Sequence, residues 1–137
     1  MRTALDTNVL SALWSGEPSA RDIESVLFKA RSEGGLVICA PVYCELLAHP
    51  SATQRFVQEF VGETGIFVDF LLDEQVWQRA ANAFVAYAQR RRRSRGGSPK
   101  RMLVDFVVAA HALLRADRLM TLDASRYRHD FPKLHII

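Results

Sequence analysis

The sequence has little cysteine, no long apolar run and no internal repeat, and each shortage closes off a class of protein. Only Cys39 and Cys44 are present. They do not form C-x-x-C, and no histidine pair stands at zinc-ligand spacing from them, which excludes a disulfide framework and a zinc-finger architecture. Two buried thiols in a reducing compartment are expected instead. No stretch approaches the roughly 18–20 consecutive apolar residues needed to span a bilayer, so no membrane-spanning segment is expected. The opening residues MRTALDT lack the apolar core and small-residue cleavage site of a secretory signal, and a cytoplasmic location follows.

What is there suffices for a core. At 137 residues, 49% of them apolar, the chain fits one compact domain over residues 1–137, with enough apolar surface to fold without a staple. The formal net charge is +3, a mild excess whose placement matters more than its size. The only segment of biased composition is RRRRSRGGSPKR, which gathers Arg90, Arg91, Arg92, Arg93, Arg95, Lys100 and Arg101. Such a run can be a solvated helix end, where cations also suit the helix dipole. It is equally the kind of patch that holds a phosphate backbone.

Short apolar segments alternate with helical patterns along the chain. Thr3–Asp6 reads as a buried strand, followed by a short helix carrying Val9, Leu10, Leu13 and Trp14. Ser19 is placed to cap a helix with Ile23, Val26, Leu27 and Ala30 at helical spacing, closed by Gly34-Gly35. Leu36–Ala40 is a second strand, and Pro41 opens the helix that contains Glu45. Ser51 is read as the start of the next helix, with Phe56, Val57, Phe60 and Val61 facing inward. Ile66–Phe70 is a third strand. Asp73 caps a long helix whose buried stripe is Val76, Trp77, Ala80, Phe84, Tyr87 and Ala88. LVDFVVAAHALL is apolar almost all round and therefore a buried helix. Arg118–Asp123 reads as a fourth strand, Ala124–Phe131 as a short helix and Leu134–Ile137 as a fifth strand. The alternation predicts an α/β fold with a parallel sheet covered on both faces by helices.

Parallel strands with right-handed crossovers end on one shared edge. Asp6 closes the first strand, Asp123 the fourth, Glu45 lies early in the helix after the second, and Asp105 lies early in the buried helix. Two starting points for that helix stay open, a Ser98-Pro99 cap or a start near Met102. Asp6 and Asp123 each have a plain alternative role as helix caps. Asp105 has the weakest one, because a charge within MLVDFVVAAHALL is costly to bury unpaired. Two carboxylates about 4 Å apart repel by roughly 4 kcal/mol at an effective dielectric near 20. If the four meet, they require protonation or a cation, and oxygen-only ligands suit Mg²⁺ or Mn²⁺. That is the chemistry of phosphodiester hydrolysis.

LDTNVL, CELLAHP, VDFVVAAHAL and LMTLDASRY, in this order and spacing, resemble the four acidic signatures of the PIN-domain nucleases. The short length and the D-x-x-x-A-A-x-A pattern are similar to the VapC-type toxins of bacterial toxin–antitoxin pairs. The resemblance implies a three-layer α/β/α fold with a five-stranded parallel sheet in the order 3-2-1-4-5. Asp6, Glu45, Asp105 and Asp123 fall on the family's metal-binding, catalytic acids, while Thr7, Asn8 and Thr121 match its supporting polar residues. It further implies one or two Mg²⁺ or Mn²⁺ ions, hydrolysis of RNA, a homodimer, and inhibition by a small antitoxin protein. Many members carry a further acid shortly after the fourth, where this chain has Ser125 and Arg126. Two other readings compete: a catalytically inactive module of the same fold that only binds RNA or protein, and a phospho-acceptor receiver domain. The complete set of four acids disfavours the first. The second lacks the paired acids expected after the first strand.

Overall fold

The architecture follows from where the buried residues fall. The structure, a computed structural model, describes residues 1–97 and 100–137. In chain order the elements are β1 (Thr3–Leu5), α1 (Thr7–Trp14), α2 (Ala20–Glu33), β2 (Leu36–Cys39), α3 (Ala40–Leu47), α4 (Gln54–Thr64), β3 (Ile66–Asp69), α5 (Glu74–Arg93), α6 (Leu103–Arg115), β4 (Arg118–Met120) and α7 (Ser125–Arg128). Every residue of β1 and β2 is buried, so the middle of the sheet is covered on both faces, as a parallel α/β sheet requires. Among the described residues no helix is long and apolar enough to cross a membrane.

The strands are all parallel and lie in the order β3-β2-β1-β4. Beyond β4 the C-terminal segment runs parallel to it. Leu119 pairs with Ile136, donating its N–H to the His135 carbonyl and accepting from the Ile137 N–H. The predicted fifth strand is therefore present only as an isolated bridge, in the predicted 3-2-1-4-5 position. The chain winds from β1 to β2 to β3 on one side and places β4 on the other. The reversal of direction lies between β1 and β4, where open α/β sheets leave a crevice at the strand C-termini.

Several local expectations shift by a few residues, each for a visible reason. The helix expected from Ser51 starts at Gln54, because the Thr53 hydroxyl accepts the Phe56 N–H at 3.0 Å and makes the cap. Its inward face is also narrower than expected, since Val57 is buried whereas Phe56 is 38% exposed. At its other end Gly65 takes the left-handed conformation, φ 70°, that closes a helix without side-chain strain. Gly34 is required for space: a Cβ there would sit 2.2 Å from the Met1 backbone nitrogen. Asp73 caps α5 as expected, accepting the Val76 N–H at 3.1 Å. Trp77 is not in the buried stripe of α5; it is 47% exposed, and the inward positions are Val76, Ala80, Ala83 and Tyr87. Ser19 sits at the α2 N-cap but makes no side-chain capping bond. The proposed Ser98-Pro99 start of α6 lies outside the described residues; the helix begins at Leu103, with Met102 as its cap residue.

The cysteines differ from each other, and only Cys39 is buried; Cys44 is exposed. Burial pushes the Cys39 thiol up to about 11. At pH 8 it is almost entirely protonated and shielded, whereas Cys44 is open to the reagent. Iodoacetamide at pH 8, followed by peptide mass spectrometry, is expected to label Cys44 and leave Cys39 untouched until denaturant is added. Equal labelling of both in the native protein would contradict this burial. A second buried polar group, His111 on α6, bonds through Nε2 to Asp69 Oδ2 at 3.1 Å. Burial lowers its pKa against the opposing pull of Asp69, so the ring is held neutral. This pair ties the edge strand to α6.

Candidate active site

Four carboxylates stand along the C-terminal edge of the sheet, each delivered by a different element. Asp6 follows β1 directly and is 4% exposed. It caps α1, its Oδ1 accepting the Thr7 N–H at 2.8 Å. Capping is therefore one of its jobs and not a rival to a functional one. Its Oδ2 accepts two buried hydroxyls, Thr121 at 2.8 Å and Tyr127 at 2.6 Å. Two short O–H···O⁻ bonds of this kind fix the carboxylate's orientation in the sheet edge. Tyr127 is raised far above the ordinary phenol range, by burial first and then by the negative charge of Asp6, so it stays a donor.

Asn8 and Thr121 tie the ends of β1 and β4 together. The Asn8 amide donates to Thr121 Oγ1 at 3.2 Å and accepts the Leu122 N–H at 3.1 Å. Thr121 Oγ1 also accepts the Asp123 N–H at 3.2 Å. The threonine thus uses one hydroxyl to orient Asp6 and the turn that carries Asp123. Its side chain is buried, where an unpaired hydroxyl would be costly.

Glu45 is exposed on α3 and reaches back to the first strand's turn, its Oε1 accepting the Thr7 hydroxyl at 2.8 Å. Thr7 therefore links Asp6 and Glu45, by its N–H to one and its hydroxyl to the other. Asp105 sits at the third position of α6, where its Oδ2 accepts the Met102 N–H at 3.2 Å. This resolves the two placements left open above in favour of the first turn. Asp123 accepts the Ser125 hydroxyl at 2.6 Å. That bond, with the nearby Arg126 and Arg101 charges, holds its carboxyl below the usual range.

The basic stretch divides into three groups. Arg90 is neutralised by the half-buried Asp130, Nη2 to Oδ1 at 2.6 Å. Arg92, Arg93, Arg95 and Lys100 are exposed, and Arg91 and Arg101 are half-buried. The Arg101 backbone N–H donates to the Tyr87 hydroxyl, which pins the stretch where α5 faces the acids. A cleft of about 330 Å³ opens there, lined by Tyr87, Arg90, Arg101, Arg126, His129 and Asp130 among others.

Sequence reasoning missed Tyr127 and Arg126. Arg126 was detectable as a cation three residues after Asp123. Tyr127 carried no signal, because only the fold brings residue 127 to residue 6.

The donor set suits a hard divalent cation, being carboxylate oxygen throughout and already drawing positive charge. As the side chains stand, no three Asp, Glu, His or Cys side chains among the described residues are close enough to enclose an ion. They are turned instead onto Thr7, Thr121, Tyr127, Ser125 and Arg126, and would have to turn from some of these partners to hold one.

The four acids lie along one edge of a parallel α/β sheet, beside its switch point. The PIN domain family model matches residues 3–132, and the chain belongs to that family. Among solved structures, the chain is similar in fold to VapBC-1 from nontypeable Haemophilus influenzae. The TM-score is 0.65 at 20% identity, covering 100% of this chain and 97% of that one. It is likewise similar to VapBC2 from Rickettsia felis bound to a DNA fragment from its promoter. There the TM-score is 0.66 at 18% identity, with 100% and 98% covered. No curated protein matches.

Proposed function

We propose that this chain is a metal-dependent endoribonuclease, the toxin of a toxin–antitoxin pair of the VapC type. Membership of the PIN domain family supports a nuclease. The observation that carries the reading is the hydrogen-bonded set at the sheet edge, in which Asp6 is oriented by Thr121, Tyr127 and Thr7 and linked through Thr7 to Glu45. Asp105 and Asp123 complete the set from the other side of the crevice.

Asp6, Glu45, Asp105 and Asp123 would hold Mg²⁺ or Mn²⁺. When bound, such an ion lowers the pKa of a water and neutralises charge on the leaving oxygen. The chain's own residues supply the rest. Thr121 and Tyr127 keep Asp6 aimed, since two hydroxyl donors fix the direction of its Oδ2. Arg91 and Arg101, with the exposed Arg92, Arg93, Arg95 and Lys100, present donors to the phosphates flanking the cut. Arginine suits that role because its planar fork matches a phosphate's oxygens.

The likeness to two VapBC structures supports a small antitoxin as the partner and a cytoplasmic toxin, and the family supports a homodimer. Single-stranded and structured RNAs incubated with the purified chain are expected to be cut in millimolar Mn²⁺ and spared when EDTA is added. A module that only binds RNA would retard the RNA in a gel under both conditions and cut it in neither. Cleavage that survives EDTA would overturn the metal mechanism.

A further inference from the structure

The centre already contains a cation, and it is a side chain. Arg126 projects from α7 between two of the acids, its Nε 3.3 Å from Asp123 Oδ2 and its Nη1 3.5 Å from Asp105 Oδ1. Each acid devotes its other oxygen to an anchor in its own segment. Asp105 accepts the Met102 N–H, and Asp123 accepts the Ser125 hydroxyl. Both carboxylates are thereby held facing the guanidinium. The Asp105 side chain is only 15% exposed, so that interaction is sheltered from solvent. A guanidinium has five N–H donors, and these two acids engage only part of the fork. Arg126 also lines the 330 Å³ cleft beside Arg101 and His129. The other arginine of that cleft, Arg90, is committed to Asp130.

The geometry points to Arg126 as a built-in second cation that bridges Asp105 and Asp123, limits the centre to one divalent ion, and offers its cleft-facing donors to a substrate phosphate. This rests on the nuclease reading above. In a two-ion centre the second ion neutralises acids on one side and a phosphate oxygen on the other. A guanidinium fixed between the same groups supplies that charge without leaving the protein. It cannot activate a water by coordination, a chemistry that an ion held by the acids would supply.

Mn²⁺ binding to the full chain, followed by calorimetry and by loss of the free-ion paramagnetic resonance signal, tests the proposal without using activity. The wild type is expected to bind one ion per chain. Arg126→Gln and Arg126→Met, each shown to be folded by its thermal melt, are expected to bind two, because Asp105 and Asp123 are then left without a counter-charge. Two ions in the wild type, or one in both variants, would overturn the proposal and leave the nuclease reading standing. No ion bound by any of the three proteins would remove the nuclease reading as well. A second readout needs no metal. With polyuridylate in EDTA, loss of one phosphate contact in Arg126→Gln lowers the slope of log affinity against log salt by about 0.7. An unchanged slope would remove the phosphate-binding half of the proposal.

Discussion

Asp6→Asn is expected to lower RNA cleavage by about a hundredfold or more while leaving the chain folded. The argument rests on what asparagine keeps. It caps a helix as well as aspartate does, so the Thr7 N–H retains an acceptor. The Tyr127 hydroxyl can rotate to accept from the amide that replaces Oδ2, but Thr121 Oγ1 already accepts from the Asn8 amide and the Asp123 N–H, so its own proton loses its acceptor. The negative charge and one buried hydroxyl bond are lost. Asp6→Ala loses more, because it removes the cap and leaves both buried hydroxyls without their acceptor. The cap is worth about 1 kcal/mol, and each stranded buried donor costs about 1–3 kcal/mol. The alanine variant should therefore melt lowest, with the asparagine variant between it and the wild type. Cleavage of a fluorescently labelled RNA, measured beside thermal melts of all three proteins, separates charge from architecture. Wild-type cleavage by Asp6→Asn would exclude this carboxylate from the chemistry.

Ile38→Ala should produce a large loss of stability without removing a charge or a hydrogen bond. Ile38 lies in β2, between β1 and β3, and is 0% exposed. Truncating a buried isoleucine typically costs about 2–5 kcal/mol through lost transfer energy and the cavity left behind. A domain of this size is stable by only about 5–15 kcal/mol, so the melting point should fall on the order of 10 °C. The consequence reaches the site. β2 runs directly into α3, the helix that carries Glu45, and a loosened strand end lets that helix shift. Cleavage per folded molecule is expected to drop with stability. Urea denaturation monitored by tryptophan fluorescence gives the stability directly. A midpoint within error of the wild type would show that β2 packs less tightly than its burial implies.

Much of the fold was legible because its signals are local. The apolar runs at residues 36–39 and 66–69, the glycines closing α2 and α4, and the Asp73 cap each act within a few residues. Such features survive reading in one dimension. The misplaced start of α4 has the same origin. Ser51 and Thr53 both carry a capping hydroxyl, and the sequence does not say which one meets a free N–H. Trp77 was assigned to the core on helical spacing, but spacing defines only a stripe of α5. Its width is set by the elements packed against it, and these leave Trp77 at the margin.

The acids themselves were legible because each sits beside a boundary between elements, where a carboxylate has few ordinary reasons to be conspicuous inside apolar sequence. Asp105 within LVDFVV is the clearest case. What holds them could not be read in this way. Tyr127 meets Asp6 across 121 positions and Thr121 meets it across 115, and no periodicity encodes contacts of that range. The identity of the counter-charge was hidden for the same reason, since Arg126 faces Asp105 only after α6 and α7 have docked.

By itself, then, the sequence determined the alternation of strands and helices, the residues able to bear negative charge at strand ends, and the family signatures that those residues form. Tertiary structure alone decided that β4 lies against β1, that Asp6 is gripped by two distant hydroxyls, and that a guanidinium stands between Asp105 and Asp123. The division has a physical cause: hydrogen-bonded turns, caps and amphipathic faces are set by neighbours in the chain, whereas the position of a charge in a crevice is set by whichever segments the packed core forces together.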